Sequence, residues 1–553
     1  MVVPEMHIHR NRPLPVDRDW WRGAVIYQIY PRSFQDSNGD GIGDLAGIIN
    51  RLPYVANLGV DAIWISPFYP SPMLDFGYDV MHYRDIDPMF GTLADFDALI
   101  ERAHELGLRV MIDLVISHTS DQHRWFRESR ASRDSPKSDW FVWADAKPDG
   151  TPPNNWLSIF GGPAWEWDSE RTQFYMHNFL AAQPDLNFHN PEVQDEMLDV
   201  ARFWLDRGVD GFRLDTLNFY FHDVELRDNP ALAPQDRDHS TAPAVNPYNH
   251  QNHIFDKSRP EMVAFLTRLR SLMDEYPDVA AVGEVGDALR GMELMGEYTR
   301  GDDRMQMCYA FEFLSPDAPT GTRVGEVLRK FDRLAADGWA CWAFSNHDVE
   351  RHASRWGMDE AHLRVFLALI LSLRGSVCLY QGEELGLHEA YVPFEELQDP
   401  YGKRFWPKFR GRDGCRTPMV WITDNLHGGF TDVKPWLPIA MEHLHASVSA
   451  QESDPRSLLA FYKRMIAWRK GQPALVKGDF TICETNAETL SFTRSFEGRT
   501  IFCAFNLSQA DQSVDLPAGT WEPILGTGFE AHQREARVYL PAAQAHFAQL
   551  ADA

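Results

Sequence analysis

No run of about 18 apolar residues occurs anywhere in the chain, so no membrane-spanning helix is expected. The opening stretch, MVVPEMHIHRNRPLPVDRDWW, carries no apolar segment of the kind a secretory signal needs. Positive charge is in short supply. Lys and Arg number 53 against 80 Asp and Glu, a formal net charge of −27, which argues against nucleic acid or an anionic membrane as partner. Cysteine is sparse: Cys308, Cys341, Cys378, Cys415, Cys483 and Cys503 form no CxxC spacing, and several lie in apolar runs. They read as free, buried thiols of a reducing compartment, and the cytoplasm is the expected location. Internal repeats and low-complexity tracts are also absent.

What is present describes a large globular protein. The 553 residues exceed one simple domain, and shares of 44% hydrophobic and 24% charged residues suffice for a sizeable core. Aromatics reach 12%, with 18 Trp, and aromatic faces suit sugar rings, although large aromatics more often fill cores.

Along the chain, apolar β-branched runs alternate with amphipathic helical stretches. Eight candidate strands follow: Ala24–Tyr30, Ala62–Ser66, Arg109–Val115, Gly211–Asp215, Ala280–Val285, Met307–Phe313, Cys341–Ser345 and Val377–Tyr380. Runs apolar on both faces suit parallel strands buried between helices. The spacing supplies helix boundaries as well. Thr92 and Asp95 form a capping box, Phe96, Leu99, Ala103 and Leu106 share one face, and Gly107 ends the helix. A second unit starts at Asn190-Pro191, carries Val193, Met197, Val200 and Trp204 inward, and stops at Gly208. Eight such units predict an α/β fold, a closed (β/α)8 TIM barrel rather than a doubly wound sheet.

Two connections are long, and long loops in compact domains are usually functional. Residues 119–185 form a predicted subdomain inserted after the third strand, and about 384–441 a second insertion after the eighth. The barrel then takes 1–118 and 186–476, and short alternating strands around a Glu497-Gly498-Arg499 turn mark 477–553 as a C-terminal antiparallel β domain.

Active sites of such barrels sit where strands give way to loops. Asp215 closes the fourth strand, Glu284 lies at the end of the fifth, and Asp348 follows the seventh. One acid there reads as a helix cap; three at the same barrel end read as one pocket.

The strings DLVISH, GFRLD, VGEV and FSNHD, in this order and on the third, fourth, fifth and seventh strands, resemble the four signature regions of glycoside hydrolase family 13, the α-amylase family. The resemblance covers nearly the whole chain. It implies that Asp215 attacks the anomeric carbon, that Glu284 serves as general acid and then base, and that Asp348 stabilises an oxocarbenium-like transition state. His118 and His347 would bond hydroxyls of the same ring. Such double displacement retains configuration and wants carboxyls about 5 Å apart. Arg213 lies two residues before Asp215 on one strand face, where it can hold that carboxylate ionised. Glu284 sits in an apolar string that raises its pKa.

The same resemblance narrows the substrate. Asp79, beside Tyr78 in Gly77-Tyr78-Asp79-Val80, and Arg416, in Arg416-Thr417-Pro418-Met419, resemble the ion pair that closes an exo-acting α-glucosidase pocket. Gln183-Pro184-Asp185-Leu186-Asn187 resembles the family's fifth region in its oligo-1,6-glucosidase-like branch. In that branch Val after the nucleophile tracks α-1,6 cleavage and Thr tracks α-1,4; Thr216 thus implies maltose-like substrates. Phe160 and Phe179 are candidate aromatic walls near the leaving group. Ser117 replaces an Asn that in many members contributes to a calcium site, which puts that site in doubt.

A different metal site is expected in Asp36-Ser37-Asn38-Gly39-Asp40-Gly41-Ile42-Gly43-Asp44, where oxygen ligands recur two apart. Gly47 stands where an EF-hand needs Glu. Related α-glucosidases bind calcium or magnesium there, which implies a structural Ca2+ or Mg2+ on Asp36, Asn38, Asp40, the Ile42 carbonyl and Asp44, with no organic cofactor. The expected partners are small α-glucosides, and the expected state is a monomer or homodimer. Competing readings are a transglucosylase, sucrose isomerase, trehalose synthase or oligo-1,6-glucosidase with the same machinery, and a non-catalytic sugar-binding relative. The intact triad opposes the last.

Overall fold

A computed structural model of the chain describes residues 14–551, so the first 13 residues of the opening stretch lie outside the description. Eight parallel strands form the central sheet: β1 (Val25–Ile29), β2 (Ala62–Ile65), β3 (Arg109–Leu114), β4 (Gly211–Leu214), β5 (Ala280–Val285), β6 (Met307–Ala310), β7 (Cys341–Trp342) and β8 (Ser376–Tyr380). Neighbours run β7-β8-β1-β2-β3-β4-β5-β6, and a parallel bridge between Cys308 and Ala340 closes β6 onto β7. The expected (β/α)8 barrel is therefore present, and no helix among the described residues is long and apolar enough to cross a membrane.

Both expected helix starts form as read. Thr92 and Asp95 make a reciprocal capping box on Leu93–Glu105, and Asn190 caps Pro191–Asp206 with Pro at the first turn. Those helices bury Phe96, Leu99 and Ala103, and Val193, Met197, Val200 and Trp204, against the outer face of the strands. The period of two in each strand sends alternate residues inward. Ile26, Trp64, Met111, Val282 and Met307 fill the barrel base with apolar atoms. One step up each strand, Gln28, Asp113, Arg213, Glu284 and Tyr309 form a buried polar layer.

Six strands end earlier than their expected runs: β1, β2, β3 and β4 by one residue, β6 and β7 by three. β4 stops at Leu214 because Thr216 adopts a left-handed conformation (φ 44°). β6 gives way to a 3-10 turn at Phe311–Phe313. β7 stops at Trp342, and the Asn346 side chain then accepts the Asp348 and Val349 amides, bending the chain.

The segment between β3 and the Pro191 helix carries a helix (Arg124–Ala131) and a three-stranded antiparallel sheet, tied at its base by a bridge from His118 to Asp185. Beyond β8 the chain is mostly irregular, with a short helix at Pro400–Phe405 and a 3-10 turn at Asp413–Arg416. The C-terminal part holds a five-stranded and a three-stranded antiparallel sheet; Glu497 and Gly498 turn between Thr489–Phe496 and Arg499–Asn506. All six cysteines are free, and five are buried; Cys483, expected to be buried, is exposed on the strand Asp479–Thr485, an outer strand of its sheet.

Candidate active site

The polar layer and the three acids meet at the C-terminal mouth of the barrel. Arg213 is fully buried and touches three carboxylates at once: Asp113 Oδ1 at 2.8 Å, Asp215 Oδ1 at 2.5 Å and Glu284 Oε2 at 2.7 Å. Strand periodicity places Arg213 and Asp215 on one inward face, but the guanidinium does not single out Asp215. It bridges Asp215 and Glu284. A buried fork of donors suits this shared role.

Burial pushes both acids up, against the pull of Arg213: Asp215 to about 7, with Asp113 and Asp348 adding to the rise, and Glu284 to about 7, with Asp215 and Asp348 adding. Two carboxyls sharing one guanidinium, each raising the other's pKa, favour a state with one proton between them. Glu284 Oε2 accepts from Arg213 and from the Thr216 amide at 3.0 Å, and Oε1 lies 3.4 Å from the Tyr309 hydroxyl. Gly283 lets the Glu284 strand lie against the loop after Asp215, since a Cβ there would sit 2.4 Å from Leu217 Cδ2.

Asp348 has the opposite environment. Burial raises its pKa, yet His347 and the cations of Arg412, Arg416 and Arg213 outweigh that, and it is held well below the usual carboxylate range. Arg416 Nη2 binds Asp348 Oδ1 at 2.8 Å and Arg412 Nη1 binds the same oxygen at 3.1 Å. Burial lowers the pKa of His347 to about 3. Its ring stacks on Tyr78 (5.3 Å between centroids) and its Nε2 lies 2.6 Å from the Tyr78 hydroxyl. His118 reaches the same cavity from the end of the DLVISH segment.

The expected pair of Asp79 with Arg416 does not form. Asp79 turns back on its own loop and accepts from Ser71 Oγ, the Leu74 amide and the Asp75 amide. Left-handed residues at Met73 and Phe76 bend the chain so that Asp75, not Asp79, faces the cavity. Asp75 Oδ1 binds Arg412 Nη2 at 2.8 Å, and Arg412 also binds Asp399 Oδ1 at 2.9 Å. The ion pair closing the pocket is thus Asp75–Arg412, each member four residues before the one expected. Gln183, from the fifth region, donates to Asp75 Oδ2 at 3.1 Å.

Around these groups lies a cavity of about 140 Å³. Asp75, Arg412, Asp348, Asp215 and Glu284 supply its charged lining, and Phe160, Phe179, Phe219, Phe311 and Tyr401 its aromatic lining. Phe160 and Phe179 thus line the cavity; Phe219, Phe311 and Tyr401 carried no sequence signal beyond being aromatic. A larger cavity, about 500 Å³, opens near the strand starts at Val279, Gln306 and Trp339 and holds none of the three acids.

In the loop after β1, the carboxylates take donors of the chain itself. Asp36 accepts from the Asn38, Gly39 and Gly41 amides and from Thr431 Oγ1; Asp44 accepts from Ser37 and from the Gly47 amide, capping the helix Leu45–Leu58. Asn38 Nδ2 lies 3.2 Å from Asp40 Oδ2, and Asp40 Oδ1 accepts from the Ile42 amide. Among the described residues no group of three or more His, Cys, Asp or Glu side chains is arranged to hold a metal. The donor chemistry, three carboxylates, an amide and a carbonyl, nonetheless suits a hard cation.

Comparison with known proteins agrees with this geometry. A family model described as "Alpha amylase, catalytic domain" matches residues 28–478. A probable alpha-glucosidase of Rhizobium meliloti (strain 1021) is 63% identical over 543 residues, covering 97% of this chain and 98% of its own. An oligo-1,6-glucosidase of Heyndrickxia coagulans is 37% identical, covering 92% of this chain and 96% of its own. Among solved structures, the alpha-glucosyl transfer enzyme XgtA superposes with a TM-score of 0.94 at 53% identity, covering 96% of this chain and 99% of that one. The trehalulose synthase MutB from Pseudomonas mesoacidophila MX-45 gives 0.86 at 32% identity, with coverage of 96% and 99%. With the barrel, the three acids and these relatives together, the chain belongs to the α-amylase family, glycoside hydrolase family 13, and is a glycoside hydrolase.

Proposed function

We propose that the enzyme is a retaining, exo-acting α-glucosidase that removes the non-reducing terminal glucose of short α-glucosides, α-1,4-linked substrates such as maltose before α-1,6-linked ones. The observation that carries this reading is the Asp75–Arg412–Asp348 ion cluster, which lines the same cavity as Asp215 and Glu284 and would close one end of it to a longer chain. A closed end admits a chain terminus and excludes the middle of a long polymer. Asp215 Oδ2 attacks the anomeric carbon as its bond to the leaving oxygen breaks, and Glu284 gives its proton to that oxygen. Water then attacks the glucosyl–Asp215 ester, losing a proton to Glu284, and α-glucose departs.

The α-1,4 preference rests on Thr216, whose side chain lines the cavity beside Asp215. A second reading, glucosyl transfer to a hydroxyl other than that of water, is favoured by the apolar aromatic side of the cavity and by likeness to an enzyme named for glucosyl transfer. Proton NMR of maltose and isomaltose digests tests the first reading. We expect α-glucose as the first product and maltose as the faster substrate. Early β-glucose sinks the retaining mechanism, and faster isomaltose turnover sinks the role given to Thr216.

A structural Ca2+ or Mg2+ is proposed at Asp36, Asn38, Asp40, the Ile42 carbonyl and Asp44. Its support is the oxygen-only donor set. Because the cation binds the folded state alone, chelation lowers stability by linkage, about 2.7 kcal/mol when the cation had stood at a hundredfold its Kd. EDTA-treated protein should therefore melt about 2 °C lower, with recovery on adding Ca2+ or Mg2+. Identical melting curves with EDTA and with either cation would remove the site. The free thiols support a cytoplasmic location.

A further inference from the structure

Ser117 stands between His118 and the catalytic floor. Its side chain is 2% exposed, and its Oγ lies 2.7 Å from His118 Nδ1 and 3.0 Å from Thr216 Oγ1. Thr216 Oγ1 in turn lies 3.3 Å from Asp215 Oδ2, while Arg213 holds the other carboxylate oxygen, Oδ1. The Thr216 hydroxyl has one proton and two candidate acceptors, and which of them receives it is decided at His118.

His118 Nε2 lies 3.0 Å from the Tyr78 carbonyl oxygen. A carbonyl only accepts, so this geometry assigns the ring proton to Nε2. The Gln183 amide nitrogen approaches the same atom at 3.3 Å, which would call for a lone pair there, but it has a nearer acceptor in Asp75 Oδ2 at 3.1 Å. The Tyr78 contact is the shorter and the more demanding, and it prevails. Burial lowers the pKa of His118 to about 4, so the ring is neutral at ordinary pH and Nδ1 is an acceptor. Ser117 must give its only proton to Nδ1. What its oxygen then offers Thr216 is a lone pair.

We propose that Ser117 is a positioning residue for the nucleophile: the one-way chain from Thr216 to Ser117 to His118 to the Tyr78 carbonyl keeps the Thr216 hydroxyl from donating to Asp215 Oδ2. That oxygen's lone pair stays free for the anomeric carbon. A donor on Oδ2 stabilises the carboxylate and lowers its pKa, and its bond must be broken before attack. The left-handed backbone of Thr216 (φ 44°), strained for a β-branched residue, fits this division of labour. It aims the amide at Glu284 Oε2, and the hydroxyl lies within reach of both Ser117 and Asp215. The other groups facing Asp215 are Arg213, Asp113, Asp348, Glu284, Tyr83 and Tyr220, and S117A alters none of them.

The inference rests on Asp215 as the nucleophile of a glucosidase. It is tested by comparing wild type, S117A, T216V and S117A/T216V on p-nitrophenyl α-glucoside. In S117A the freed Thr216 hydroxyl turns to Asp215. We expect kcat/KM to fall about three- to tenfold and the acid limb of its pH profile to move to lower pH. In the T216V background no hydroxyl remains to misdirect, so adding S117A should change neither quantity. An unmoved acid limb in S117A overturns the proposal. So does an equal loss from S117A in both backgrounds, which would place the effect in His118 or the fold. Inactivity of the wild-type protein on this substrate would instead overturn the glucosidase reading, and the role of Ser117 with it.

Discussion

Asp215→Asn is expected to lower turnover of maltose on the order of 10⁴-fold or more, because it removes the nucleophile and leaves only binding and positioning to act. The folded state should survive it. The amide keeps the shape of the carboxylate and relieves the crowding of acids around Arg213, where Asp113, Asp215 and Glu284 all converge. A companion variant, Glu284→Gln, separates the two roles. An aryl leaving group needs little acid assistance, so this variant should still form the glucosyl-enzyme from p-nitrophenyl α-glucoside yet hydrolyse it slowly. Intact-mass analysis should then show one added glucosyl unit on Glu284→Gln and none when Asp215→Asn is added. Measurable maltose turnover by Asp215→Asn, or an adduct on the double variant, would move the nucleophile elsewhere.

The second large effect concerns stability. Arg213→Leu strips the cation that touches Asp113, Asp215 and Glu284 at once, and an uncompensated buried charge of this kind costs about 3–5 kcal/mol. Its pH dependence follows from the sign of the shifts. Asp113, raised to about 6, and Glu284, raised to about 7, already sit above the ordinary carboxyl range because of burial. Without Arg213 their folded-state values climb further. A carboxyl with a raised folded pKa binds its proton more tightly in the folded state, so its contribution is favourable at low pH and is lost as pH rises through the folded value. The variant should therefore lie closer to wild type in Tm at pH 5 than at pH 8. A Tm deficit of equal size at both pH values would mean that lost packing, not stranded charge, dominates.

Local chemistry made most of the fold readable. Thr92 and Asp95 reveal a helix start because the capping box involves only residues three apart. The eight strands are legible because a parallel strand buried on both faces must be apolar throughout, a property each segment carries by itself. The three acids were readable for a similar reason: each terminates its own apolar run, and the barrel rule sends every such terminus to one end. Strand ends were overestimated by one residue at β1 to β4 and by three at β6 and β7, where the turns that stop the strand depend on groups outside the run, such as the Asn346 side chain.

What the chain determines alone is thus the barrel, its catalytic acids and the aromatic residues near them. Tertiary structure decided which charges meet. Asp75 and Asp79, and likewise Arg412 and Arg416, are alternatives four residues apart with the same local credentials. The choice falls to Asp75 and Arg412 because Ser71 and two backbone amides claim Asp79, and His347 and Asp348 claim Arg416. The threefold sharing of Arg213 and the direction of the Ser117 relay have the same origin. Side-chain pairing in a buried polar layer is set by which partners the folded chain brings within hydrogen-bond reach, and no periodicity along the sequence encodes that.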